Sequence, residues 1–136
     1  MQPVKKTLNR QKIMTRKIAG VILGYIIFSV SAVMLFKLSG QAPHADPTII
    51  FAILTTVYGA VFSFIAGLVA QLIAKTTDLK INYVLALIMA GFATFSLIKT
   101  NGNHWTQLLA IFVFAPISVL GAQFYLKYKQ KAALKK

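Results

Sequence analysis

The chain has 136 residues, 57% hydrophobic and 12% charged, with a mean hydropathy of +0.71 and a net charge of +13. A soluble domain needs about 25% charged residues to coat its surface, so too few polar groups exist here to face water and lipid must cover much of the protein. There is no cysteine, which excludes disulfides, thiolate metal sites and cysteine nucleophiles.

Residues 1–17 form a basic arm carrying Lys5, Lys6, Arg10, Lys12, Arg16 and Lys17. Val4 and Leu8 stand one turn apart, which suits a short interfacial helix on anionic lipid; the arm is equally readable as unstructured. The apolar run 18–38 follows. A basic start before an apolar run also outlines a secretory signal, and "SVSA" offers small residues for cleavage. The run is longer than the roughly 7–15 residues of a signal core, so an uncleaved first span is expected. Gly20 and Gly24 lie four apart on one face of it.

The loop "QAPHADPTII" holds His44 and Asp46. Asp is a favoured N-cap and Pro is favoured at the first helical position. The pair Asp46–Pro47 therefore predicts a helix cap, with the carboxylate at the positive end of the dipole. The competing reading joins His44, Asp46 and His104 as metal ligands. No metal-motif spacing supports it, so neither a metal site nor a cofactor is expected.

The second span, 48–74, has no formal charge and would be roughly 40 Å long at 1.5 Å per residue. Thr55, Gly59, Ser63, Gly67 and Gln71 recur every four residues and so share one face. Small residues let helices approach closely in lipid, which makes span two the expected central packing helix. Gly20 and Gly24 make span one the expected neighbour of this groove, and a second copy of the chain the other. The alternative reading is a polar path for a neutral solute along Thr55, Ser63 and Gln71, joined by Gln123.

Asp78, between Lys75 and Lys80, reads as a solvated loop residue. Span three, 82–98, carries Ala86, Ala90 and Thr94 at the same four-residue spacing. Span four, 105–126, carries Ser118 and Ala122 with Gly121 beside them. Pro116 removes a backbone donor and crowds the carbonyl of Phe112, predicting a kink. The tail, 127–136, is basic again. Tyr83, Trp105, Tyr125 and Tyr128 fall at expected interfaces, and Tyr25 and Tyr58 lie within spans, where their hydroxyls want partners.

Two features concern the whole chain. "LFKLSG" and "LIKTNG" end spans one and three, and "LVAQLIAK" and "LGAQFYLK" end spans two and four. The hairpins are therefore candidate tandem repeats, but apolar helices match readily by chance because they use few residue types, and that plainer reading is the expected one. Second, thirteen of the fifteen Lys and Arg residues fall in the termini and the middle loop; only Lys37 and Lys99 border the other loops. This positive-inside bias places both ends in the cytoplasm of a bacterial cell.

The expected fold is an all-α integral membrane protein, a four-helix bundle spanning the inner membrane. Clustering of the basic residues at span ends fits lipid headgroups and not nucleic acid. Proton-coupled carriers place an ionisable group at depth, and none is apparent here; no catalytic constellation is apparent either. The expected function is a non-enzymatic accessory or structural packing subunit, alone as a homodimer or within a larger membrane complex. The alternative is a small transporter or channel for a neutral or lipid-like solute.

Overall fold

Each apolar run of the sequence is helical. The computed structural model describes residues 2–136, and no strand occurs among them. The helices are α1 (Gln2–Ser39), α2 (Ile49–Ala74), α3 (Lys80–Lys99) and α4 (Trp105–Leu134). All four are long and apolar enough to cross a membrane. Residues Ala110–Phe114 of α4 are π-helical.

The basic arm continues α1 without a break, giving one helix of 38 residues or about 57 Å. Nothing between Lys5 and Ile18 interrupts helix geometry, and no Gly or Pro falls there. The hydroxyls of Thr7 and Thr15 bond back to the carbonyls of Pro3 and Gln11 at 2.9 and 2.8 Å. Gly40 ends the helix with φ +69°, a left-handed value that glycine adopts without steric cost.

α2 begins at Ile49, two residues beyond the first helical position that an Asp46 cap predicts. Its N-cap is Thr48, whose Oγ1 accepts from the Phe51 amide at 3.3 Å. Asp46 is not the cap, because its carboxylate is engaged elsewhere: Oδ1 accepts from Asn103 Nδ2 at 2.6 Å. Asp78 also has a structural role, with Oδ1 accepting from the Lys80 amide at 3.1 Å where α3 begins.

The chain runs up and down. Gly20 of α1 meets Ala70 and Ala74 of α2, and Asn82 of α3 bonds Gln71 of α2. These contacts define the basic end, where both termini and the 75–79 loop lie. Phe36, Phe51 and Trp105 meet at the opposite, loop end, with ring centroids 5.9–6.4 Å apart.

α2 is central, but its neighbours are divided differently from the expectation. α1 lies on the flank marked by Ala66 and Ala70: a Cβ at Gly20 would sit 2.6 Å from the Ala70 carbonyl oxygen. The Gly59–Gly67 groove faces α4 instead. The Phe114 ring occupies the space over Gly59, and the Ser118 carbonyl that over Gly67. Reciprocally, the Phe64 carbonyl occupies the space over Gly121. Ala66 and Gly67 are consecutive, so their faces are about 100° apart on a helix of 3.6 residues per turn, and one helix can hold two neighbours at once. Neither α1 nor a second copy is needed to fill the groove.

α3 closes the bundle with bulk. Leu85 and Met89 are fully buried, with Ile81 beside them. The small-residue row is only the edge of this face: Ala86 and Ala90 are half-buried against the core, and Thr94 is exposed. Ser118 and Ala122 of α4 are fully buried.

Pro116 was expected to kink span four. The irregularity lies immediately before it, in the π-helical segment, where the Ala115 amide bonds the carbonyl of Ala110, five residues back. A wider turn accommodates the missing donor and the ring of a proline. It also sets Ala110 and Phe114 toward the interior, where both are buried.

Candidate functional site

Two polar constellations punctuate the apolar bundle. At the basic end Gln71 is fully buried. Its Nε2 donates to the carbonyls of Thr76 (2.8 Å) and Asp78 (3.0 Å), and its Oε1 accepts from Asn82 Nδ2 at 2.6 Å. The side chain therefore staples the 75–79 loop beneath α2 and ties α2 to α3. A buried amide needs such partners, because each one lost costs about 1–3 kcal/mol.

At the loop end the two loops clasp each other. The Asn103 amide donates to the His44 carbonyl at 3.0 Å, and Trp105 Nε1 donates to the Ala45 carbonyl at 3.1 Å. Gly102 permits the approach: its φ is +112°, and a Cβ there would lie 3.0 Å from the His44 oxygen. Below the clasp, Gln107 Nε2 lies 3.1 Å from His44 Nδ1 and donates to Ser96 Oγ at 3.2 Å.

Under this cluster lies a cavity of about 440 Å³, within the roughly 300–1,000 Å³ of small-molecule sites. All four helices contribute to its walls. His44, Ser96 and Gln107 stand toward the loop end, Thr55 stands deeper, and Phe28, Met89 and Phe114 form apolar surface. Tyr58 closes one side by donating to the Ser31 carbonyl at 3.0 Å. Thr55 is 4% exposed, yet its Oγ1 has no hydrogen-bond partner.

These positions revise the polar-path reading. Thr55, Ser63 and Gln71 share the buried face of α2, but Gln123 is exposed on the outside of α4. Gln123 is therefore removed from any interior path. Between Thr55 and Gln71 the stripe is sealed by Phe114 over Gly59 and by the Ser118 carbonyl over Gly67. Ser63 is left as an enclosed hydroxyl without a partner. The stripe is a packing seam whose loop-end portion opens into the cavity.

His44 and Asp46 do not converge on one centre. Asp46 holds Asn103, and His44 faces Gln107. No group of three metal-competent side chains forms among the described residues. The buried polar residues are Ser31, Thr55, Ser63, Gln71, Asn82, Gln107 and Ser118. All are neutral, so they can orient a hydrogen-bonding group but do not constitute an ionisable relay.

The sequence marked Tyr58 as a hydroxyl wanting a partner, but not Ser31 as that partner, and it did not mark Gln107 or Ser96. A glutamine inside an apolar run was the available signal for Gln107. Ser96 and Ser31 carry no such signal, because serine in an apolar helix usually satisfies itself on its own backbone. Ser31 does so, donating to the Phe28 carbonyl at 2.7 Å. No known protein family, curated protein or solved structure matches this chain.

Proposed function

We propose that this chain is a multi-pass protein of the bacterial inner membrane that acts as a non-enzymatic accessory subunit. In this reading both termini and the 75–79 loop lie in the cytoplasm. The observation that carries it is the contrast between the interior and the basic end. The buried polar groups are all neutral, which fits packing rather than chemistry. The basic residues are concentrated in two helical posts, residues 2–17 of α1 and 127–134 of α4. Such posts suit anionic headgroups, at about 1 kcal/mol per basic residue near the surface. They also suit an acidic face of a larger membrane complex; a second copy of the chain, itself at net charge +13, would have to pack through its helices instead.

Native mass spectrometry of the full chain from anionic-lipid nanodiscs tests this reading. A discrete assembly larger than the single 14.9 kDa chain is expected; neutralising Lys5, Lys6, Arg10 and Lys12 should weaken one completed by an acidic subunit and leave one packed through the helices intact. A strictly single-chain particle, unaffected by those changes, would defeat the accessory role.

A second reading, a small transporter or channel for a neutral or lipid-like solute, is favoured by the loop-end cavity. Phe114 and the α2–α4 seam close it toward the basic end, so passage would require these helices to separate. Uptake assays across vesicles bearing the full chain distinguish this reading from the first.

A further inference from the structure

We propose that the loop-end cavity is a binding site for a neutral, single-chain amphiphile, held with its polar head toward the loops and its chain along α1 and α3. The inference deepens the second reading by naming an occupant, and it depends on neither assembly nor transport.

The cavity has a polarity gradient along the bundle axis. Gln107 and Ser96 lie within one turn of the loop-end limits of their helices, and His44 is in the loop itself. Thr55 lies six residues into α2, about 9 Å from the loop-end start of that helix. Beyond it the walls are Phe28, Met89, Phe92 and Phe114. A ligand matched to this lining has hydrogen-bonding atoms at one end only and an apolar body below.

The mouth indicates how such a molecule reaches the site. Val33 of α1 and Phe92 of α3 line the cavity and are 55% and 58% exposed. An exposed wall residue on each of these two helices points to a mouth between α1 and α3. In a membrane that side faces lipid chains, which favours an amphiphile over a water-borne solute. The volume of about 440 Å³ suits one chain and a small head, not a two-chain phospholipid.

Charge selects the head. Lys37 is the sole formally charged side chain among the lining residues and is exposed at the rim; the groups inside are hydroxyls, an amide and an imidazole. A carboxylate or phosphate placed at Thr55 would leave water without a countercharge, which is costly. A hydroxyl or ester head suffers no such penalty. The Thr55 hydroxyl, buried and without a partner, supplies the missing complement. Such orphaned groups are uncommon in well-packed interiors.

The test uses the full chain in lipid nanodiscs with a photoreactive C16 fatty alcohol. Photoreactive palmitate and a photoreactive phosphatidylcholine serve as comparison probes. Labelling by the alcohol should saturate, map to Phe28, Met89 and Phe92, and be displaced by unlabelled monoacylglycerol. Ala93→Phe and, from the opposite wall, Ala32→Phe should each abolish saturable labelling. Thr55→Val should weaken it roughly two- to tenfold, the worth of one hydrogen bond, while leaving thermal stability unchanged. Each variant's melting temperature is measured alongside, and a variant that unfolds is replaced by its partner from the other wall. Non-saturable labelling spread over the lipid-facing surface would overturn the site. Equal saturable labelling by phosphatidylcholine or palmitate would overturn the neutral single-chain assignment. Insensitivity to Thr55→Val would remove Thr55 from head recognition and overturn the proposed orientation.

Discussion

At the scale of single residues, two contrasts carry the energetics. The first is between glycines. Gly67 has the Ser118 carbonyl where a side chain would go, whereas Gly91 has nothing within 4 Å. Gly67→Leu should therefore overpack the α2–α4 seam and cost roughly 1–3 kcal/mol. Gly91→Leu should be neutral or stabilising by up to about 1 kcal/mol through helix propensity. Unfolding of both variants in detergent checks this, and equal effects would mean that the seam is not tightly packed. The second contrast is within the Gln71–Asn82 pair. Gln71 serves three partners, whereas Asn82 Oδ1 already lacks one. Gln71→Leu should cost about 1–3 kcal/mol and Asn82→Leu less. The double variant should cost less than the sum, since the two share a bond; strict additivity would show that the pair is not coupled. The four-residue spacing in the sequence already marked Gly59, Ser63, Gly67 and Gln71 as one face. It did not reveal what meets that face, because helical periodicity states which residues are neighbours on a helix and not which helix lies opposite. The partner α4 became visible only through the Phe114 ring and the backbone of Ser118.

At the scale of elements, the spans were legible because about twenty apolar residues leave few alternatives to a helix; the limits beside the loops moved by at most two residues, whereas the basic ends prolong α1 back to Gln2 and α4 on to Leu134. The larger departures came from tertiary contacts. The basic arm admitted two readings and is helical, since no breaker separates it from α1. Asp46 and Thr48 both flank Pro47 as competent caps, and local preference favoured Asp46. Asn103, 57 residues away, binds that carboxylate and leaves the capping to Thr48. Thr48→Ala should thus cost about 1 kcal/mol of stability and loosen the first turn of α2. Asp46→Ala should leave that turn unchanged and instead raise hydrogen exchange at Asn103 and Trp105. Amide exchange by mass spectrometry separates the two outcomes, and faster exchange in the first turn of α2 after Asp46→Ala would restore Asp46 as the cap. The cavity was not legible at all. It lies toward the loop end among all four helices, beneath the clasp of Gly102 against His44 and beside the Phe114 ring of the π-helical segment, and these contacts join residues far apart in the chain.

At the scale of the whole molecule, the proposed topology rests on charge rather than packing. The bundle interior is neutral and would be equally stable facing either way in a symmetric bilayer. What breaks the symmetry is the placement of thirteen Lys and Arg residues at one end and two at the other. Cytoplasmic loops and tails retain such residues because translocating them is unfavourable. All the basic residues at that end lie within the terminal posts or beside the short 75–79 loop, within reach of the span ends where the bias acts. In the proposed topology, a reporter active in the cytoplasm should therefore work when fused after Lys136 and fail when inserted at Asn101, and a reporter active in the periplasm should show the reverse. Because the bias comes from both terminal posts, neutralising the six basic residues of the arm alone should produce mixed orientation rather than inversion: Lys75, Lys80 and the five tail lysines still hold the other three helices. Complete inversion after that change would mean that the first span alone dictates the topology. A periplasmic signal from the unaltered C-terminus would reverse the orientation and place the cavity mouth in the inner leaflet.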